Sequence, residues 1–416
     1  MLSSIKELRL LSQEGGRVIL EIRIGFSWEK WVLEFKTTPE RLSGKFIQIH
    51  GPFRNWSYTF KIHASDERTS TLEEEVEYAL PFPLSASRFY KKVERYFRWR
   101  QKTLEDDLMA YARAPLPPLK ILITGSTGLV GAALVPFLKV AGHEVVRLVR
   151  SKEKAGPSAI FWNPQSGEID LERLEGFDLV IHLAGENIAA HRWSKEQKER
   201  LFVSRCRDTW LLSQALIRLS APPKTVICAS ACGIYGNRGT EKLNEKSLPG
   251  QGFLAELCVK WEAATSALER QGIRVLNTRF GYGLSSRAGV LAKMLPAFRL
   301  GLGGKIGNGE QIMPWIAVDD MVGAIYHLIA DQKMHGPVNV CGPNPISQGE
   351  FSKTLAHAVH RPAFFHLPAR LLRLFLGEMA DELLLTSENA YPEKLLESGY
   401  TFRYESLGEA LRTLII

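Results

Sequence analysis

Residues 119–131, LKILITGSTGLVG, decide the reading of this 416-residue chain. A short apolar run with the composition of a buried strand ends at Gly125. Gly128 and Gly131 follow at three-residue spacing, and AALVPFLKVAG then continues as a helix. Strand, glycine turn and helix in that order are the setting in which such glycines bind a dinucleotide. Gly125 serves the tight turn, Gly128 lets the backbone approach a pyrophosphate, and Gly131 lets helix and strand pack closely. The helix start adds unpaired N–H groups and a partial positive charge suited to phosphate. Gly125, Ser126, Thr127, Gly128, Leu129, Val130 and Gly131 are therefore the expected phosphate-binding segment. Three glycines alone are weak evidence, since many strand-to-helix turns carry them.

The downstream strands strengthen the reading. HEVVRLVR (143–150), FDLVIHLAG (177–185), KTVICAS (224–230) and IRVLNTRFG (273–281) read as further strands, with helix-length segments between most of them. Right-handed crossovers turn that alternation into an α/β fold with a doubly wound parallel sheet. Ahead of it, residues 1 to about 85 hold period-two stretches such as RVILEIRIGF, WVLEFKTT, KFIQIHG and WSYTFKIHA, separated by turn signals. These predict an antiparallel sheet closed by a helix. The helix is SRFYKKVERYFRWRQK (87–102), where Phe89, Val93, Tyr96, Phe97 and Leu104 recur at helical spacing. Its aromatics read as a buried stripe and its arginines as a solvated face, rather than as a nucleic-acid surface. The proline-rich RAPLPPLK (113–120) cannot continue a helix and marks a boundary between residues 1–112 and the region from 119 onward.

Composition narrows the function classes. The net charge of +8 suits an anionic partner, but it is spread along the chain, so no nucleic-acid partner is expected. No apolar run approaches the roughly 20 residues of a membrane helix, and MLSSIKELRLLSQEGG lacks a signal-peptide pattern. Five scattered cysteines have no metal-ligand spacing, so the expectation is reduced thiols, a cytoplasmic location and no metal.

Two resemblances enter here. GPFRNWSYTFKIH (51–63), VEYALPFPL (76–84) and RYFRWRQKTLEDDL (95–108) resemble the second half of a START-like, polyketide-cyclase-type domain. That resemblance implies an α+β fold with a sheet curved around its long C-terminal helix and a hydrophobic ligand between them. Against that family pattern, the strand and two short helices that usually open such a domain are expected to be missing here, which implies a truncated start or an incomplete pocket. The rest resembles the extended short-chain dehydrogenase/reductase superfamily. More narrowly, it is similar to the epimerase-like proteins called sugar-nucleotide epimerases or, in places, cell-division inhibitors. TGSTGLVG (124–131), HLAGENIAAHRW (182–193), SRCRDT (204–209), SACGIYG (230–236) and FLAELCVKWE (253–262) carry it. So do LPAFRLGLGGKIGNGEQIMPWIAVDDM (295–321) and GPVNVCGPNPIS (336–347). It implies an NAD(P)-binding Rossmann domain over 119–360 and a small C-terminal domain over 361–416.

The resemblance also frames the site. Arg150, at the end of the second strand, stands where an arginine accommodates the 2′-phosphate of NADP(H) and an acidic residue would select NAD. The alternative is a simple exposed strand-end charge, but no Asp or Glu competes for the position, which favours NADP(H). Leu183, Ala184 and Gly185 close a later strand beside adenine and ribose, and Arg205 is implied as a further cofactor contact, with a helix-surface charge as its nearly equal alternative. Active relatives use Tyr-x-x-x-Lys on a helix. Counting back from Glu262 puts Leu254 and Cys258 in those positions, while Lys260 points to the opposite face. Ser230 and Tyr235 are the remaining catalytic candidates, the one as a substrate-orienting hydroxyl and the other as a phenol near nicotinamide. Tyr235 reads equally as a packing residue. Asp319 and Asp320 are expected as helix caps beside the substrate pocket near Trp315. GLGGKIGNGEQ (301–311) is expected as a mobile loop able to cover a substrate, with Lys305 and Gln311 as polar contacts, and the same composition also reads as plain turns. An NADP(H)-dependent oxidoreductase or epimerase-like enzyme on a small carbonyl, hydroxyl or nucleotide-linked substrate is the leading reading. Its rivals are a noncatalytic NADP(H)-responsive regulator and a lipid or polyketide carrier.

Overall fold

The computed structural model describes residues 5–14, 16–24, 27–38, 42–66, 69–80 and 86–415. They fall into two compact units, one ending at Thr103 and the other spanning Leu104–Ile415. In the first, six strands form an antiparallel meander in chain order: Ile5–Glu14, Arg17–Ile24, Ser27–Thr38, Ser43–His50, Asn55–Ala64 and Ser70–Ala79. The first of these was not foreseen. A helix, Ala86–Arg113, follows. Trp31, Leu33, Phe53, Phe89 and Val93 make the core of this unit, with Phe97 packed against it. Ring pairs such as Trp31–Trp56 at 5.0 Å and Tyr78–Phe89 at 4.8 Å fill it. Tyr96 corrects the predicted stripe: it is exposed, and its ring meets its helix neighbours Phe97 edge-on and Trp99 at a tilt.

The division between units falls inside this helix, ahead of the proline-rich stretch. Its last residues belong to the second unit for a physical reason. Tyr111 donates to the Phe137 carbonyl at 2.9 Å and packs on the rings of Phe137 and Tyr326, and Asp107 pairs with Arg403 at 2.6 Å.

The second unit is built on an eight-stranded sheet. Its order is Glu168–Ile169, Ala159–Asn163, Glu144–Val149, Lys120–Thr124, Leu179–His182, Thr225–Ala231, Arg274–Phe280 and Gly336–Val340. All pairings are parallel except that of the first two strands. The run KILIT is apolar throughout because helices cover both faces of the sheet. Ile121 and Ile123 enter one core and Leu122 the other, all without exposure. The strand order reverses between Lys120–Thr124 and Leu179–His182, and that switch point is where open α/β sheets bind ligands.

Two expectations for the substrate region change. The glycine-rich segment is pinned rather than mobile. Gly304–Ile306 pairs with Phe365–Leu367, and the buried Gln311 amide donates to the carbonyls of Ile306 and Leu384. The helix Val318–Ala330 begins before Asp319 and Asp320, with Ala317 as its cap. Asp320 instead anchors the C-terminal segment, accepting from the backbone N–H of Arg403 at 2.7 Å and of Tyr404 at 3.2 Å. Trp315 is a core residue whose indole N–H reaches the Asn344 carbonyl. Among the described residues no helix is long and apolar enough to cross a membrane.

Candidate active site

The fingerprint folds because its glycines leave room that nothing else could. Gly125 lies at φ +67°, and a Cβ there would meet the Leu183 carbonyl carbon at 2.6 Å. A Cβ on Gly131 would lie 2.3 Å from the Gly125 oxygen, so this glycine brings the helix against its own loop. The helix Leu129–Val140 starts with Gly128 as its cap and no side chain on its first amides. Those N–H groups lack intrahelical acceptors and are available to an anion. Ser126 and Thr127 complete the turn, and Leu129, Val130 and Gly131 form the first helical positions.

A buried polar chain fixes the opposite wall. The Thr124 hydroxyl accepts from the N–H groups of Leu183 and Ala184, both at 3.1 Å, which uses both of its lone pairs. Its proton therefore goes to Nδ1 of His182 at 2.8 Å, and His182 Nε2–H donates to Thr209 at 3.0 Å. Trp261 Nε1–H donates to the same Thr209 hydroxyl. Burial pulls the His182 ring down to about 4, so it is neutral and fixed in one tautomer. Thr124→Val is expected to strand two amides and a histidine and to cost about 2–4 kcal/mol, read by urea unfolding.

Two arginines stand near this crevice in different states. Arg150 is exposed at the end of its strand, with no ion pair to its guanidinium among the described residues. Arg205 sits on a π-turn, Val203–Arg207, between two helices. Its guanidinium lies 5.1 Å from the Trp261 ring centroid, and a side chain at Gly185 would meet it at 3.5 Å. Its Nη1 is sealed from solvent without a hydrogen-bond partner. Burial lowers its pKa, and no carboxylate pairs with it among the described residues. A half-buried guanidinium with one sealed, unbonded nitrogen and no ion pair among the described residues, beside the switch point, is suited to an anionic or acceptor-rich ligand.

The helix Phe253–Ala263 carries Leu254 and Cys258 on its buried face and Lys260 on its exposed one, as the spacing requires. Cys258 is an inert thiol, pushed up to about 12 by burial. The structure places Ser230 and Tyr235 in a closed network. Ser230 donates to Glu262 at 2.7 Å, and Glu262 takes two bonds from Arg279 at 2.8 and 2.9 Å. Arg279 also donates to the Tyr235 hydroxyl at 3.0 Å, and that hydroxyl lies within reach of Asn339 at 2.7 Å and Asn244 at 2.9 Å. Tyr235 has no exposure. These two residues are joined to each other through Glu262 and Arg279.

What does line an opening here came from elsewhere in the chain. A cleft of about 150 Å³ is bounded by Gly233, Asn237, Leu254, Asp381, Glu382 and Glu388. No local motif marks its three carboxylates. The one available signal was their density in GEMADELLLTSEN, which a solvated helix face shares. A larger surface cleft of about 540 Å³ is lined by Lys305, Asn308, Glu350, Lys353 and His366; neither cleft contains a fingerprint residue, but the smaller one includes Leu254 of the helix Phe253–Ala263.

With this geometry in hand, likeness to known proteins is informative. Residues 121–341 match the NAD dependent epimerase/dehydratase family, and residues 367–414 match a domain of unknown function, DUF1731. Epimerase family protein Mb2239 of Mycobacterium bovis is 42% identical over 291 residues, 70% of this chain and 96% of that protein. The crystal structure of the nucleoside-diphosphate sugar epimerase from Corynebacterium glutamicum superposes with a TM-score of 0.80 at 30% identity. The match covers 99% of this chain and 83% of that one, so the architecture of both units recurs there. Human epimerase family protein SDR39U1, crystallised with NADPH, superposes with a TM-score of 0.65 at 32% identity, over 71% of this chain and 99% of that one. The chain belongs to the NAD dependent epimerase/dehydratase family.

Proposed function

We propose that this protein binds NADP(H) at the switch-point crevice and acts as an oxidoreductase or epimerase-like enzyme on a small carbonyl or hydroxyl compound. The observation that carries the reading is the pairing of an uncapped helix start at Leu129 with the unmatched Arg205 guanidinium. The NADPH found with human SDR39U1 supports it. Gly125 to Gly131 hold the pyrophosphate, Arg150 the 2′-phosphate, Leu183 to Gly185 the adenine side, and Arg205 the remaining polar surface of the dinucleotide. When bound, the nicotinamide supplies hydride chemistry. The protein's own task is to orient the ligand, exclude water and handle a proton. Ser230 and Tyr235 act by bracing Glu262 and Arg279 behind that crevice.

For the first unit we keep the START-like reading, supported by its antiparallel sheet and following helix. The rings of Trp31, Phe53, Tyr78 and Phe89 pack between them, which favours a packing module over a ligand carrier.

Arg150→Glu is the test of the cofactor assignment. A carboxylate there repels a 2′-phosphate and accepts from a ribose hydroxyl. NADPH affinity is expected to fall about 100-fold while NADH affinity holds or rises. Equal weakening of both would reject Arg150 as the phosphate reader. Calorimetric titration of each cofactor separates the two outcomes.

A further inference from the structure

The segment 387–391 is fastened on both sides. Ser387 Oγ donates to the Gly239 carbonyl at 2.7 Å and accepts from Ile312 N–H at 3.0 Å. Leu243 N–H donates to the Asn389 carbonyl at 2.9 Å, and Tyr391 N–H to that of Leu243 at 2.7 Å. Between these ties stands Glu388, its own N–H bound to the Ile312 carbonyl at 3.0 Å. The backbone is rigid where the side chain enters the cleft.

The three carboxyl groups of that cleft differ in what holds them. Asp381 is paired with the Arg373 guanidinium at 2.9 Å. Glu382 caps the helix Phe253–Ala263, accepting from Phe253 N–H at 3.2 Å and Leu254 N–H at 3.0 Å. The Glu388 carboxyl has neither a hydrogen bond nor an ion pair among the described residues, yet Glu388 is 4% exposed. A side chain at Gly233 would meet its Oε1 at 3.9 Å. It thus lies on the same cleft as Leu254, the helix position whose side chain can move no proton. A buried carboxyl without partners is costly to keep, and such groups mark functional sites.

We propose that Glu388 is the proton donor of this cleft. The proposal rests on NADP(H) binding at the crevice. In the reducing direction the carbonyl π bond breaks, its carbon takes the hydride and its oxygen takes the Glu388 proton. The products are an alcohol, NADP⁺ and a Glu388 carboxylate, which water in the cleft reprotonates. The reverse direction uses the carboxylate as base. The other groups around Glu388 do not compete. Cys232 and Cys258 are buried thiols with raised pKa values, the first through Cys341 and burial and the second chiefly through burial. The Tyr282 hydroxyl is donated to the Leu383 carbonyl at 3.1 Å. Burial, reinforced by the Glu382 charge, pushes Glu388 up to about 8, so it carries a proton at neutral pH. The region matched by the domain of unknown function, 367–414, thereby supplies the acid of a site whose cofactor loop lies far earlier in the chain.

Glu388→Gln tests this in two ways, because the amide keeps the shape and loses the titratable proton. The first needs no cofactor. A raised folded-state pKa means the folded chain holds a proton that the unfolded chain has released. The stability this confers is full below the unfolded value of about 4.5 and is lost as pH rises through about 8. Asp320, pushed up to about 7 by burial, has the same sign, and the depressed His182 the opposite one. Both are common to the two proteins. The Tm of the unsubstituted protein is therefore expected to fall more steeply between pH 6 and 9 than that of the variant (the chosen window brackets about 8). Parallel profiles would overturn a protonated Glu388.

The second way follows label transfer from 4-deuterated NADPH, both stereoisomers, to a panel of aldehydes, ketones and keto-sugar nucleotides. The variant is expected to bind NADPH within about twofold of the unsubstituted protein and to transfer label about 100-fold more slowly or worse. Transfer at the unsubstituted rate overturns the donor role and leaves the cofactor reading standing. Failure of the unsubstituted protein to bind NADPH overturns the cofactor reading and the donor role with it. Binding without transfer to any probe overturns the donor role alone.

Discussion

Arg279→Ala is expected to destabilise the protein by about 3–5 kcal/mol, the cost of leaving one partner of a buried ion pair behind. Arg279 and Glu262 are both largely shielded, with side-chain exposures of 7% and 15%. The guanidinium gives two bonds to the carboxylate and a third to the Tyr235 hydroxyl. Removing it leaves Glu262 with the Ser230 hydroxyl alone. Glu262→Gln tests the same pair from the other side and is expected to cost less, since the amide still accepts from Arg279. Replacing both residues with methionine is expected to recover much of the loss, because neither charge then remains buried. Urea unfolding of the three variants gives the coupling directly. An Arg279→Ala loss below about 1 kcal/mol, the worth of an exposed pair, would contradict a buried bracing role.

The second large effect is on ligand affinity. Gly131→Ala puts a methyl group 2.3 Å from the Gly125 oxygen and 2.8 Å from the Ser126 Cα, and both obstacles are backbone. The loop must shift to accept it, which displaces the N–H groups assigned to the pyrophosphate under the proposed cofactor reading. We expect NADPH binding to weaken about 100-fold, or about 2.7 kcal/mol, together with a stability loss of about 1–3 kcal/mol from overpacking. Gly142→Ala is the matched control. It lies at φ +88° with nothing within 4 Å of its Cβ position, so the strain there is purely conformational. That variant is expected to lose stability and keep its affinity.

How far the sequence carried depended on range. The fingerprint and the strands at Glu144–Val149, Leu179–His182, Thr225–Ala231 and Arg274–Phe280 were legible, because a buried parallel strand is an unbroken apolar run of its own. Ala159–Asn163 and Ile5–Glu14 were passed over, the first being short and the second holding charged residues within its alternation. The glycine-rich stretch was misjudged because what holds it, Phe365–Leu367, lies about sixty residues later. Tyr235 posed the same difficulty. A phenol after a strand end looks free until Arg279 and Asn339 arrive from other strands. Glu388 was invisible for the strongest form of that reason, since its meaning comes from Gly233 and Leu254, more than a hundred residues earlier. The missing Tyr-x-x-x-Lys pair could be read locally, but its replacement could not.

The most direct measurement is the affinity of the purified protein for NADPH and for NADH, by calorimetry at fixed salt. The geometry of Leu129, Arg150 and Arg205 predicts binding of both, with NADPH tighter by about tenfold or more. Preference for NADH, or no binding of either, would contradict the account at its centre.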